Sequence, residues 1–315
     1  MTAGEAARGA LHRLAHLLRD RNALLVTALA LGVILGPTAG RLSWLNLPGL
    51  ALAMTVSLTG IGTADLRPVH RVLRAVGLGL LLTYLVNGGA LLVLGRLLTT
   101  DPQLWIGLVL LAATPSGIAV IPFSYVLGGD VSLALISTLG VYLTALVLMP
   151  LLAVLLLGTA VIEPLRLITV LVQLVVVPLL LSRVINVSPL KEPVSRWRGT
   201  IVNWSFALVI LTVIGLNRDA VLRQPLVMLT LALVGLVSTF GLGWVLEKVL
   251  RWRRVSRPQM VSAILLGTIK NTSMTAATVL MLLGERASLG PAVVNVMTVI
   301  YLVYLGVHWA QTEAA

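Results

Sequence analysis

Gly267-Thr268-Ile269-Lys270-Asn271-Thr272-Ser273 interrupts an apolar run that extends over 259–283, and Lys270 is the only charged residue in the middle of any such run in the chain. An ammonium near a bilayer midplane costs about 2.5–3.5 kcal/mol on insertion scales, so it normally faces a protein interior or a watery cavity. The alternative is a lysine that snorkels to the interface. Apolar sequence extends for about a dozen residues on either side of Lys270, farther than a lysine stem reaches.

A second stretch has the same grammar. Leu111-Ala112-Ala113-Thr114-Pro115-Ser116-Gly117 leads to Leu127-Gly128-Gly129-Asp130-Val131-Ser132-Leu133, just as Leu265 to Asn271 leads to Leu283-Gly284-Glu285-Arg286-Ala287-Ser288-Leu289. Each has an apolar lead, a polar break, a second apolar stretch, then glycine, an acid and a Ser-Leu entry into the next segment. The stretches lie five apolar segments apart, and an odd number of crossings per unit turns the second copy upside down, which is the inverted-repeat signature of secondary transporters. Close helix packing through small residues is the competing explanation, and it suits Ser137, Thr138, Ser238 and Thr239 better than the paired breaks.

Composition agrees with membrane burial: 58% of the 315 residues are hydrophobic and 11% are charged. Apolar segments lie near 23–40, 43–64, 75–99, 103–127, 131–157, 165–185, 200–216, 225–246, 259–283 and 289–309. Continuous runs of this length read as helices, since barrel strands would alternate every second residue. The expected fold is an all-α polytopic membrane protein. It has ten transmembrane helices arranged as two inverted five-helix repeats, 23–157 and 165–309, with broken helices 4 and 9 crossing at the midplane. Residues 1–22 read as a basic amphipathic segment, with Leu11, Leu14, Leu17 and Leu18 interleaved with arginines.

The net charge of +12 would point to nucleic acid in a soluble protein, but here the basic residues lie in short loops between apolar segments, so no nucleic-acid partner is expected. Of the 23 Lys and Arg, six (Arg41, Arg96, Arg166, Arg218, Arg223 and Arg286) fall on one side, and nearly all the others on the side of the N-terminus. The positive-inside rule then places both termini in the cytoplasm of a multi-pass cell (inner) membrane protein. With no cysteine in the chain, thiolate chemistry and disulfides are excluded. His12 and His16 form at most a weak metal pair, so no metal site is expected.

Pro115 removes a donor and disfavours helix at Thr114, while Gly117 tolerates unusual dihedrals, so the fourth segment should open there, with Pro122 extending the disturbance. The freed backbone groups need protein, water or solute partners, and half-helix N-termini suit an anion. Lys270 adds a full charge, while Asn271, Thr272 and Ser273 add neutral donors and acceptors. Together with Thr114, Pro115, Ser116 and Gly117 they form the expected site for a small organic anion, most simply a carboxylate. Asp130 and Glu285 are expected to cap the helices that follow, and Asn87 and Asn295 to bond between helices or to ligand.

These residues carry a likeness. Pro115-Ser116-Gly117 with Tyr125 to Leu133, Lys270-Asn271 with the small-residue helix after it, and Leu47-Pro48 leading to Met54-Thr55-Val56-Ser57-Leu58 resemble the bile acid:sodium symporter family. The resemblance implies a panel of spans 1, 2, 6 and 7 beside a core of spans 3–5 and 8–10, and substrates such as bile salts, steroid sulfates or small carboxylates. Members that use sodium carry a Ser-Asn pair where this chain has Val120-Ile121, Ser at Ala134, Gln at Thr83, and Glu and Gln at Leu266 and Lys270. Thr138 and Asn271 keep the family's residue types. The expected function is alternating-access transport without sodium, with Lys270 as fixed counter-ion or proton carrier and no cofactor. A sodium-coupled symporter and a non-transporting membrane sensor are the alternatives.

No Gly-x-Ser-x-Gly, zinc His-Glu-x-x-His or intramembrane Asp pair is present, so no enzyme is expected. Expected partners are the organic anion and membrane lipids, and the sequence suits a monomer or a homodimer.

Overall fold

The computed structural model describes residues 21–59, 69–158 and 164–313, so the basic segment expected over 1–22 lies almost wholly outside the described residues. The described residues form helices α1 (Arg21–Leu35), α2 (Asn46–Leu58), α3 (His70–Leu98), α4 (Pro102–Ala113), α5 (Val120–Val126) and α6 (Val131–Leu157). Then follow α7 (Leu165–Val187), α8 (Lys191–Leu216), α9 (Pro225–Trp252), α10 (Arg257–Thr268), α11 (Thr272–Leu283) and α12 (Glu285–Glu313). Among the described residues the one β-type pairing is an isolated antiparallel bridge between Ser116 and Lys270.

Among the described residues six helices are long and apolar enough to cross a membrane: α3, α6, α7, α8, α9 and α12. The chain is therefore a multi-pass membrane protein. The first two apolar segments instead form one pair bent by 113°, which counts as a seventh span if taken together. The bend follows from the backbone: Gly36 has φ +56° and Pro37 starts the next short helix, a pairing that ends one helix and opens another. Arg218 Nε donates to the freed carbonyl of Val33 at 2.8 Å. The remaining expected spans, 103–127 and 259–283, are each cut in two. The 12 residues of α4 extend only about 18 Å, short of a hydrocarbon core of roughly 30 Å.

Packing divides the helices by neighbour. α8 lies along α1 and α2, and α7 packs on α2. α3 packs on α6, α4 on α6 and α12, α9 on α10 and α12, and α11 on α12. A continuous apolar cluster joins the two groups, with Leu110, Met149, Leu171, Ile210 and Met274 all buried in it. Polar caps finish the ends. The Asp101 carboxylate accepts from the amides of Gln103 and Leu104 and from Arg286 at 2.8 Å, tying the start of α4 to the start of α12. Burial pushes this carboxyl up, but the Arg286 and amide hydrogen bonds outweigh burial and hold it below the usual carboxylate range. Asp130 caps α6 by accepting from the Leu133 amide at 2.9 Å, the role its sequence position implied.

Candidate functional site

The site is built where α4 and α10 stop. Helix α4 ends at Ala113 because Pro115 follows, and Thr114 takes extended dihedrals of −73° and 150°. Helix α10 ends at Thr268, with Ile269 extended, and Asn271 caps the start of α11. Pro122 does not prolong the first break: it falls inside α5, near its start, where a proline is tolerated.

The two extended segments satisfy each other. Gly117 N donates to Ile269 O at 2.8 Å and Asn271 N to Pro115 O at 3.0 Å, flanking the Ser116–Lys270 bridge. Gly117 is needed for this approach, since a Cβ there would stand 2.9 Å from the Ile269 side chain and 3.0 Å from Lys270 O. Each break thus uses the other's freed backbone as its partner, which removes the cost of leaving buried amides and carbonyls bare.

Lys270 is 4% exposed. Its Nζ donates to Ala112 O and to Thr114 O, both at 2.7 Å, and lies 5.0 Å from the centre of the Tyr84 ring. Ala112 lies in the last turn of α4, where the helix dipole places negative potential and leaves acceptors unpaired, and Thr114 follows directly after the helix end. The Lys270 Nζ therefore sits at a helix C-terminus, under an aromatic face.

Asn271, Thr272 and Ser273 do different work. Asn271 Oδ1 accepts from the Met274 amide at 3.2 Å, and its Nδ2 donates to the Tyr142 hydroxyl at 2.6 Å. Thr272 Oγ1 donates to Asn295 Oδ1 at 2.6 Å, and Asn295 Nδ2 donates to Ser273 Oγ at 3.0 Å. Asn295 thus bonds between helices α12 and α11. Asn87 does likewise, donating from α3 to Gly267 O at 2.9 Å, while Thr83 Oγ1 lies 3.4 Å from Leu266 O. A widened π turn over Leu81–Gly88 carries both Thr83 and Asn87, an irregularity often found at functional positions.

Thr114 Oγ1 donates to Leu110 O at 2.6 Å and lies 2.8 Å from Thr275 Oγ1. Thr114, Pro115, Ser116 and Gly117 are accordingly brought against Lys270 to Ser273. Thr138 is not part of this pairing: it is buried on α6, and its hydroxyl has no hydrogen-bond partner among the described residues. The Ser116 hydroxyl is likewise buried and unpartnered among them. A cavity of about 20 Å³ adjoins the pair, lined among others by Gly117, Phe206, Asn271, Ser273, Asn295 and Thr298. That is room for about one water.

Tyr142 is one of four tyrosines, with Tyr125, Tyr301 and Tyr304, that the sequence offers as cavity-lining or merely packing residues; sequence reasoning missed Tyr84 and the carbonyls that hold Lys270. A tyrosine inside an apolar helix is a weak signal, because membrane aromatics also pack and mark interfaces.

Broken helices buried against each other in a multi-pass helical protein are a feature found in secondary transporters. The model of the sodium bile acid symporter family matches residues 47–223, more than half of the chain, and the protein belongs to that family of membrane transporters. Comparison with individually curated proteins gave no match.

Proposed function

We propose that this protein is a secondary transporter of small organic anions that works by alternating access and without sodium. In this reading the ten apolar segments form two inverted five-helix repeats. α1, α2, α7 and α8 are the panel, and the other helices are the core that holds both breaks. Both termini face the cytoplasm of the cell membrane.

The observation that carries the reading is the seating of Lys270 Nζ on the carbonyls of Ala112 and Thr114. Where a carrier needs positive charge to offset helix-end carbonyls beside its substrate, this chain keeps that charge on a side chain. The sequence supports the same view from the other direction, since Val120, Ile121, Ala134 and Leu266 offer no side-chain oxygen to a cation. Lys270 acts as a fixed counter-charge behind the pair, and the α11 N-terminus with Asn271, Ser273 and Asn295 presents donors to a carboxylate or sulfate. A cavity this small is short of the volume of an organic anion, so in this reading it widens on entry as α8, which contributes Phe206, draws away from the core.

The test is flux. Protein in liposomes is loaded with unlabelled organic anion, and counterflow of labelled anion is measured in sodium, potassium and choline buffers at fixed pH and membrane potential. Saturable counterflow equal in all three is expected. Uptake that needs sodium overturns the ion-independent reading, and ligand binding without any flux identifies a sensor instead.

A further inference from the structure

A second cavity, of about 240 Å³, lies between α9 and α12. Its lining includes Phe240, Trp244, Glu247, Tyr301, Tyr304 and Trp309. The rings form a connected cluster, with Phe240 4.9 Å from Tyr301 and 5.2 Å from Tyr304, and Tyr304 stacked on His308 at 5.3 Å. Tyr301 and Trp309 are buried, whereas Trp244 and Tyr304 open the cavity at the surface. The arrangement depends on Gly243, because a Cβ there would meet the Tyr301 hydroxyl.

Glu247 is the only formally charged residue among those lining this cavity. Its side chain is 18% exposed, so the carboxylate stands mostly within the aromatic wall. One oxygen, Oε1, accepts from Arg251 Nη2 at 2.6 Å, and the other, Oε2, lies 3.9 Å from His308 Nε2. The protein already applies cations to this surface: Lys248 Nζ lies 5.7 Å from the centre of the Trp244 ring. Lys248 is exposed and the Arg251 side chain is 57% exposed, so both lie on the open side, where an incoming cation can displace them.

The chemistry of this wall selects its ligand. An anion would meet the Glu247 carboxylate, whose Oε1 Arg251 already holds, and a neutral apolar molecule would leave Oε2 with only His308 at 3.9 Å. A charge-diffuse ammonium wrapped in methyl groups satisfies both the ring faces and the carboxylate. From this geometry we infer that the cavity is a binding site for a quaternary or tertiary ammonium group, separate from the paired breaks. The group is carried either by a free amine or by a choline-type lipid headgroup, for the site lies one turn before the basic stretch Arg251 to Arg257 at the end of α9. The inference does not depend on the transport reading.

The experiment titrates the purified full chain, in a maltoside detergent, with choline and with its uncharged carbon isostere at constant ionic strength. The readout is the change in tryptophan fluorescence, to which Trp244 and Trp309 of the cavity wall contribute among the seven tryptophans. Saturable binding of choline is expected, with the isostere about tenfold weaker, and with choline weakened about tenfold in both Glu247→Gln and Tyr304→Leu. Equal binding of the two compounds, or unchanged choline affinity in both variants, overturns the inference. Tyr304→Leu carries the test if Glu247→Gln does not fold. Repeating the titration in phosphatidylcholine and phosphatidylglycerol discs separates the sources: choline binding lost only in phosphatidylcholine assigns the site to the lipid headgroup, and binding retained in both assigns it to a free amine.

Discussion

Replacing Lys270 by methionine keeps an unbranched apolar stem and removes the terminal ammonium. Two buried carbonyls, Ala112 O and Thr114 O, then lose their 2.7 Å donors. Hydrogen bonds to charged groups contribute about 1.5–3 kcal/mol each, so the gross loss is about 3–6 kcal/mol. Against this, the variant no longer buries an ammonium, whose effective desolvation cost is several kcal/mol. The net is a destabilisation of about 1–3 kcal/mol, or a fall in Tm on the order of 2–6 °C for a chain of this size. Lys270→Gln keeps a neutral donor within range of one carbonyl and should lose less.

The two variants also remove the charge that offsets the end of α4, leaving acceptors suited to a small monovalent cation. Thermal unfolding in detergent, run in sodium and in an organic-cation buffer, reads both effects. Sodium should raise the Tm of Lys270→Gln and leave the native protein unchanged. A methionine variant as stable as the native chain, together with no sodium-specific shift in either variant, would refute the view of Lys270 as a tethered cation.

Asn271→Ala removes both the cap on α11 and the bond to Tyr142, and should cost about 1–2 kcal/mol of stability in thermal unfolding while lowering counterflow. Ser116→Ala deletes a buried hydroxyl that has no partner among the described residues, so its Tm should be unchanged or slightly raised. If that hydroxyl meets the anion, the KM for counterflow rises at constant stability. Asp101 is held below the usual carboxylate range in the folded protein, so it stabilises the fold at neutral pH and that contribution is lost as pH falls through its folded value. Thermal unfolding between neutral pH and about pH 3 should therefore show an acid loss that Asp101→Asn flattens.

Much of the architecture is legible locally. Helical membrane character follows from apolar run length, and the places where α4 and α10 stop follow from Pro115, Gly117 and the poorly helical run around Lys270, because helix termination is a property of a few adjacent residues. The same holds for Asp130, whose cap acts on an amide three residues ahead. Run length alone overstates the number of unbroken crossings, since it registers neither the 113° bend at Gly36 nor the division of two segments into shorter helices.

The direction of the Lys270 ammonium was decided only in the tertiary structure. Its acceptors lie 158 and 156 residues away in the chain, at Ala112 and Thr114. Sequence placed a charge beside a broken helix and matched that break to another, but a backbone carbonyl has no residue type by which to be recognised. Which carbonyls face the ammonium, and that Tyr84 covers it while Tyr142 holds Asn271, depends on how α3, α4, α6 and α10 pack. That packing buries the lysine among acceptors that the helix break had left unpaired, and this is the physical reason its Nζ is held there.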